Sequence, residues 1–88
     1  MDLAGKHQKT LRAIFATPTR SNIKWGDIEQ LLRALGAELS EGRGSRVRIY
    51  LNGTRAAFHR LHPQPDTDKG ALKSMQRFLT ETRIQPED

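Results

Sequence analysis

The sequence predicts an α+β domain in which three antiparallel strands follow one another between helices. Apolar residues recur at helical spacing towards both ends of the chain. The middle holds a strand–turn–strand pattern centred on Asn52 and Gly53. A chain of 88 residues suffices for one compact domain with a small core. We therefore expect the helices to cover one face of a three-stranded sheet and to leave its other face open for binding.

Three helices are predicted from apolar stripes, over residues 6–16, 25–35 and 69–82. Gly36 supplies the C-terminal stop of the second helix, and residues 66–68 supply N-cap candidates for the third. The stripes consist of Leu11, Ile14 and Phe15 in the first helix, Trp25, Ile28, Leu31, Leu32 and Leu35 in the second, and Leu72, Met75, Phe78 and Leu79 in the third.

A breaker segment at residues 17–22 separates the first helix from the remainder of the chain. We expect residues 1–22 to form an N-terminal helix and linker, residues 23–84 the compact domain, and residues 85–88 a frayed tail. Three roles stay open for the first helix: it extends a binding surface, docks on a partner, or covers the core.

The strands follow from alternation and turn chemistry. A weak pattern predicts a short strand over residues 37–41, followed by a turn over residues 42–45. Residues 46–51 alternate polar and apolar side chains, which is typical of a half-buried strand. Asn52 and Gly53 then predict a two-residue hairpin, in which the numbers of paired residues sum to 105.

This register sorts the side chains of the hairpin into two faces. Ile49 faces Ala56 and Val47 faces Phe58, which makes one face apolar. The opposite face gathers three opposed pairs, namely Tyr50 with Arg55, Arg48 with Ala57, and Arg46 with His59. We interpret this polar and basic face as a functional site.

The net charge of +5 is concentrated around the same hairpin. Residues 41–62 hold five arginines against the single acidic residue Glu41. Arginine presents a planar fork that suits bidentate phosphate contact, and it also stacks on bases. The charge therefore indicates an anionic partner; the alternative is a basic surface that only contacts solvent.

Several classes of protein and site are excluded or disfavoured. The chain has no cysteine, so it has neither a disulfide nor a thiolate zinc site, and we expect a cytoplasmic location. The longest apolar run covers residues 13–16, far short of the roughly 18 residues needed to cross a membrane. No signal-peptide pattern is recognisable. Because His59 and His62 point to opposite faces of one strand, we expect no metal and no cofactor.

Several short motifs occur in a characteristic order. They are residues 27–32 followed by Gly36, the Gly44 and Ser45 turn that enters a strand, a strand that ends at His62 and Pro63, and residues 70–75 opening the last helix. Together they resemble the HicA family of toxin–antitoxin toxins over residues 25–84. The resemblance implies an α-β-β-β-α fold like that of double-stranded-RNA-binding domains, ribonuclease activity on mRNA, and neutralisation by a HicB antitoxin.

The chain departs from the family at one position. The resemblance implies a catalytic histidine directly after the Gly-Ser turn, where this chain has Arg46. Arginine stays protonated, so it supplies positive charge but does not transfer protons. The predicted register places His59 opposite Arg46, with Cβ atoms about 4.5–5.5 Å apart, and an imidazole exchanges protons near neutral pH. We hypothesise that His59 is the acid/base and that Arg46 and Arg48 hold the scissile phosphate; the alternative is that His59 is an exposed polar residue that contacts only RNA, or nothing.

The other candidates for RNA contact are Arg43, Ser45, Arg48, Tyr50, Arg55, Arg60, His62, Lys69 and Lys73. Tyr50 either stacks on an unpaired base or pairs with Arg55 across the strands. His62 either contacts the substrate or packs half-buried at the strand end. Lys69 and Lys73 lie in the first turns of the last helix, where free backbone N–H groups also attract phosphate.

Three functions from different classes remain open. The first is an RNA-cleaving toxin whose antitoxin covers the face that carries Arg46 and His59. The second is an RNA-binding module without catalysis, which Arg46 at the histidine position favours. The third is a protein-interaction domain whose basic face meets an acidic partner.

Overall fold

A computed structural model describes residues 3–19, 23–44, 46–59, 67 and 69–86. The elements are α1 (Gly5–Ile14), α2 (Trp25–Ala34), β1 (Glu38–Glu41), β2 (Arg46–Leu51), β3 (Thr54–His59) and α3 (Lys69–Glu81). From α2 onward the order is α-β-β-β-α, so the predicted α+β fold is confirmed and is consistent with a fold like that of double-stranded-RNA-binding domains.

The three strands form an antiparallel sheet in the order β1-β2-β3. Asn52 and Gly53 adopt φ angles of 49° and 81°, as a type I′ turn requires at both central positions. The turn fixes the predicted register, from Leu51 opposite Thr54 at the hairpin end to Arg46 opposite His59. β3 is described as far as His59, and the expected position of His62 near its end lies outside the described residues.

The apolar stripes of α2 and α3 pack on one face of this sheet, as predicted. Aromatic rings connect the layers: the centroids of Trp25 and Phe58 are 5.9 Å apart, and those of Phe58 and Phe78 are 6.3 Å apart. At the end of α2, Gly36 has a φ of 93°, a left-handed conformation that glycine adopts without strain. The buried apolar residues are Leu11, Ile14, Ile23, Trp25, Ile28, Leu31, Leu32, Leu35, Val47, Ile49, Leu51, Phe58, Leu72, Met75, Phe78 and Leu79.

α1 packs against α2 and α3 and shares their core. Its Leu11 and Ile14 are buried among the residues of that core. The Nε2 amide of Gln76 on α3 donates a hydrogen bond of 2.6 Å to the backbone carbonyl of Ile14. Covering the core is thus one role that α1 has, while the boundary at residue 22 stays a prediction.

The segment before α3 is tied to the start of α2. The backbone N–H of Thr67 donates to the carbonyl of Ile23 at 2.7 Å. The buried Oγ1 of Thr67 has no hydrogen-bond partner among the described residues. The other two N-cap candidates, Asp66 and Asp68, lie outside the described residues.

Candidate nucleic-acid interface

The uncovered face of the sheet presents three rows of side chains, which we call the open face. Burial alternates along β2, so every second residue of the strand points away from the helices. The two registers align these residues with partners on β1 and β3. The rows are Glu38, Tyr50 and Arg55; then Ser40, Arg48 and Ala57; then Gly42, Arg46 and His59.

Arg46 and His59 oppose each other on neighbouring strands, as the sequence predicted, and both side chains are exposed. The carbonyl of Arg46 accepts a hydrogen bond of 2.9 Å from the backbone N–H of Gly42, on the β1 side. In an antiparallel sheet, a residue whose backbone is hydrogen-bonded to one neighbouring strand forms a non-hydrogen-bonded pair with the residue opposite it on the other neighbouring strand. Side chains lie closer together in a non-hydrogen-bonded pair than in a hydrogen-bonded one. The Arg46 and His59 side chains therefore start close together on the same face of the sheet.

Arg48, in the neighbouring row, extends over Gly42, which has no side chain. A Cβ atom on Gly42 would lie 3.3 Å from the Cβ of Arg46 and 3.5 Å from the Nε of Arg48. The Arg48 side chain therefore lies on the β1 side of Arg46, whereas His59 lies on the β3 side. Arg43 lies in the turn at the same end, and its carbonyl accepts the backbone N–H of Arg46 at 3.3 Å.

The hairpin end of the open face carries an aromatic ring. Tyr50 is 42% exposed, and the Cζ of Arg55 lies 5.4 Å from the centroid of its ring. This distance is within the range of a cation–π contact. Tyr50 and Arg55 therefore form a cross-strand pair. Glu38 lies on the other side of Tyr50.

Two predicted contact residues are not part of the open face. Lys69 and Lys73 are exposed on α3, which packs against the opposite face of the sheet. Three others, Ser45, Arg60 and His62, lie outside the described residues.

Glu38, Ser40 and Gly42 belong to this face although the sequence pattern does not predict it. The pattern predicts β1 without its register, because a four-residue strand with mostly exposed side chains carries little alternation. The turn between β1 and β2 is the feature that identifies these three residues. Residues paired across this turn have numbers that sum to 88, as Ser40 and Arg48 do.

The metal and membrane predictions can be examined in the described residues alone. Among them there is no group of three His, Asp or Glu side chains that could hold a metal ion. His62, Asp66 and Asp68 lie outside this part of the chain. No helix in the described ranges is both long and apolar enough to span a bilayer.

Comparison with known proteins identifies the family. The family model described as the HicA toxin of bacterial toxin–antitoxin systems matches residues 25–83, which are 59 of the 88 residues. The chain belongs to the HicA toxin family. The match includes the whole open face of this HicA chain and leaves α1 outside. Membership makes the chain a toxin of a toxin–antitoxin system and implies an antitoxin partner. No curated protein and no solved structure matched the chain.

Proposed function

We propose that this HicA toxin binds mRNA on its open face, cleaves it at the Arg46 and His59 pair, and is neutralised by a HicB-like antitoxin in the cytoplasm. The observation that carries the proposal is the opposition of Arg46 and His59, with Arg48 exposed in the next row of the same face.

RNA binding is supported by the distribution of charge over the open face. Arg46, Arg48 and Arg55 are all exposed on it, and Arg43 lies at its edge. Guanidinium groups bind phosphate oxygens through two parallel hydrogen bonds, which fixes orientation as well as adding affinity. A row of such groups along β2 and β3 matches the repeated negative charges of an RNA backbone.

The chemistry proposed at the pair is an attack within the RNA chain. The imidazole of His59 takes the proton of a 2′-hydroxyl, and the 2′-oxygen forms a bond to the adjacent phosphorus. The bond from phosphorus to the 5′-oxygen breaks, and a proton from solvent completes the 5′-hydroxyl. The products are a 2′,3′-cyclic phosphate and a 5′-hydroxyl end. Arg46 and Arg48 stabilise the additional negative charge on the phosphate oxygens in the transition state.

A second candidate function is RNA binding without cleavage. Arg46 occupies the position where the family resemblance implies a histidine, which favours this candidate. The two functions share the same surface and differ only in whether His59 transfers a proton. Measuring binding and cleavage separately distinguishes them.

The antitoxin is proposed to cover the open face. The charge of that face calls for acidic side chains on the partner, which would compete with RNA for the same arginines. The reading frame next to the toxin gene is the natural source of such a protein. Adding it in equal amount is expected to release bound RNA.

The test uses the purified full chain and an end-labelled RNA of mixed sequence, with EDTA present to exclude metal-dependent nucleases. His59→Ala is expected to bind RNA as the parent protein does and to lose at least 100-fold in cleavage rate, in line with the roughly 10²–10⁴-fold contribution of a general acid or base. Arg46→Ala is expected to weaken both binding and cleavage. Arg33→Ala, which removes one exposed charge on α2, serves as the matched control.

The outcomes separate the candidates. Cleavage that yields cyclic phosphate ends and depends on His59 supports the ribonuclease. Binding that depends on Arg46, with RNA left intact, supports the second candidate. Absence of binding by the parent protein overturns both. Growth arrest on induced expression, compared between the parent and His59→Ala, tests the same distinction in cells.

A further inference from the structure

We propose that the hairpin end of the open face binds a single guanine base, which stacks on Tyr50 and is recognised by the carboxylate of Glu38. This inference rests on the proposed binding of RNA, and it assigns to that binding a preference for one base at one position.

Glu38 is the acidic member of an otherwise basic or neutral face. It is exposed and directly opposes Tyr50 across β1 and β2. Among the described residues no hydrogen bond or ion pair engages its carboxylate. A carboxylate repels phosphate, so the RNA backbone is expected to follow the arginines of β2 and β3. The β1 side of the same row is then left for a base, whose donors a carboxylate accepts.

Tyr50 supplies a stacking surface beside this carboxylate. Tyr50 is 42% exposed and is the large hydrophobic residue found exposed among those described. The guanidinium of Arg55 lies 5.4 Å from the ring centroid, within cation–π range, and this contact restricts the orientation of the ring. A ring that is already ordered loses less conformational entropy on binding. Any of the four bases can stack on such a ring, so selectivity for one base must come from Glu38.

The chemistry of the carboxylate selects guanine. Guanine presents two adjacent donors, N1–H and the N2 amino group, which match the two oxygens of one carboxylate. Cytosine and adenine present one amino group beside a ring nitrogen that accepts. Uracil presents one N–H between two carbonyl oxygens, and those oxygens repel the carboxylate. The Glu38 side chain therefore favours guanine most and uracil least.

The subsite lies at a fixed distance from the proposed cleavage point. Tyr50 and Arg46 are four residues apart on β2, about 13 Å along the strand. The row between them contains the small residues Ser40 and Ala57 on either side of Arg48, so the surface there is low. One RNA strand can follow this path from the guanine to the scissile phosphate, so the preference applies at a single offset from the cut.

The test measures binding rather than cleavage, so that it does not depend on catalysis. The probes are two fluorescein-labelled 2′-O-methyl oligonucleotides, one of uridines alone and one with a single central guanosine. Fluorescence anisotropy gives both dissociation constants for the full chain. The parent protein is expected to bind the guanosine probe about tenfold more tightly, the discrimination typical of one good bidentate base contact.

Three variants locate the preference. Glu38→Gln removes one negative charge and is expected to strengthen binding of both probes, while reducing their ratio to below about threefold. Tyr50→Ala is expected to weaken the binding of both probes and to remove the preference for the guanosine probe. Tyr50→Phe is expected to retain that preference because the aromatic ring remains. Glu81→Gln, which removes an exposed charge from α3, is the control and leaves the ratio unchanged.

The failure of this inference is distinguishable from failure of the proposed function. If the parent protein binds neither probe nor any mixed-sequence RNA, RNA binding itself is wrong. If it binds both probes equally, or if the Glu38→Gln variant keeps the full preference, the guanine subsite alone is overturned.

Discussion

The Nε atom of Arg48 lies 3.5 Å from the position that a Cβ atom would occupy on Gly42. Gly42 has an ordinary backbone conformation, so a side chain there is limited by space rather than by strain. The Arg48 side chain therefore lies over Gly42 on the β1 side of Arg46, while His59 lies on the β3 side. Gly42 therefore shapes the proposed phosphate site although it carries no functional group.

Gly42→Ala is predicted to weaken RNA binding by about threefold to tenfold. The new methyl group would lie 3.3 Å from the Cβ of Arg46, so Arg46 must shift by a few tenths of an ångström. An off-rotamer side chain costs about 0.5–1.5 kcal/mol. Anisotropy with a mixed-sequence RNA measures the change, and urea unfolding verifies that the variant is folded. Unchanged affinity would show that the close approach of Gly42 to Arg46 has no part in binding.

Gly26→Ala provides the matched glycine substitution and a prediction of its own. Gly26 lies in the first turn of α2, and a Cβ atom there meets nothing within 4 Å. Alanine restricts the unfolded chain more than glycine does, so we expect a gain of about 0.4–1 kcal/mol in the free energy of unfolding. RNA affinity should stay constant. A loss of stability would contradict the described position of this residue.

Ile14→Ala tests whether α1 is an integral part of the fold. Ile14, the last residue of α1, is fully buried where α1 packs against α2 and α3. Truncating a buried isoleucine lowers the free energy of unfolding by about 2–5 kcal/mol. Urea unfolding followed by the fluorescence of Trp25, the single tryptophan, reports the change. The exposed residue Lys9 supplies the control, since Lys9→Ala should stay within about 0.5 kcal/mol of the parent. An appendage would give no shift for either variant.

Asn52 has two separable contributions to stability. Its φ of 49° belongs to the hairpin turn, and its Nδ2 donates a hydrogen bond of 3.1 Å to the carbonyl of Thr82 after α3. Asn52→Gly keeps the turn and loses the hydrogen bond, with an expected cost of about 0.5–1.5 kcal/mol. Asn52→Ala should cost about 1–2 kcal/mol more, because alanine disfavours the left-handed conformation. Thermal unfolding measures both, and equal losses would assign the whole effect to the hydrogen bond.

The hairpin was predictable from the sequence because its turn determines its register. Asn52 and Gly53 permit a two-residue loop with positive φ at both positions, and such a loop leaves one pairing for β2 and β3. The opposition of Arg46 and His59 followed directly. The stripes of α2 and α3 were equally clear, since every member of both is buried.

Other features depend on contacts that no local pattern encodes. The stripe of α1 indicates that Leu11 and Ile14 are buried, but it does not say against which helices. The short strand β1 carries little pattern of its own, so its register, which places Glu38 beside Tyr50, did not follow from alternation. The direction of the Arg48 side chain depends on the space above Gly42, which only a structure reveals.

The contact between the first and last helices bears on how the toxin is synthesised. The hydrogen bond from Gln76 to the carbonyl of Ile14 joins residues 62 positions apart. The core shared by α1 and α3 therefore cannot close until the residues of α3 have emerged from the ribosome. A nascent chain that stops before α3 has its three strands but lacks the helix that completes the core. The toxin is thus expected to reach its stable form only after all the strands of the open face have been synthesised.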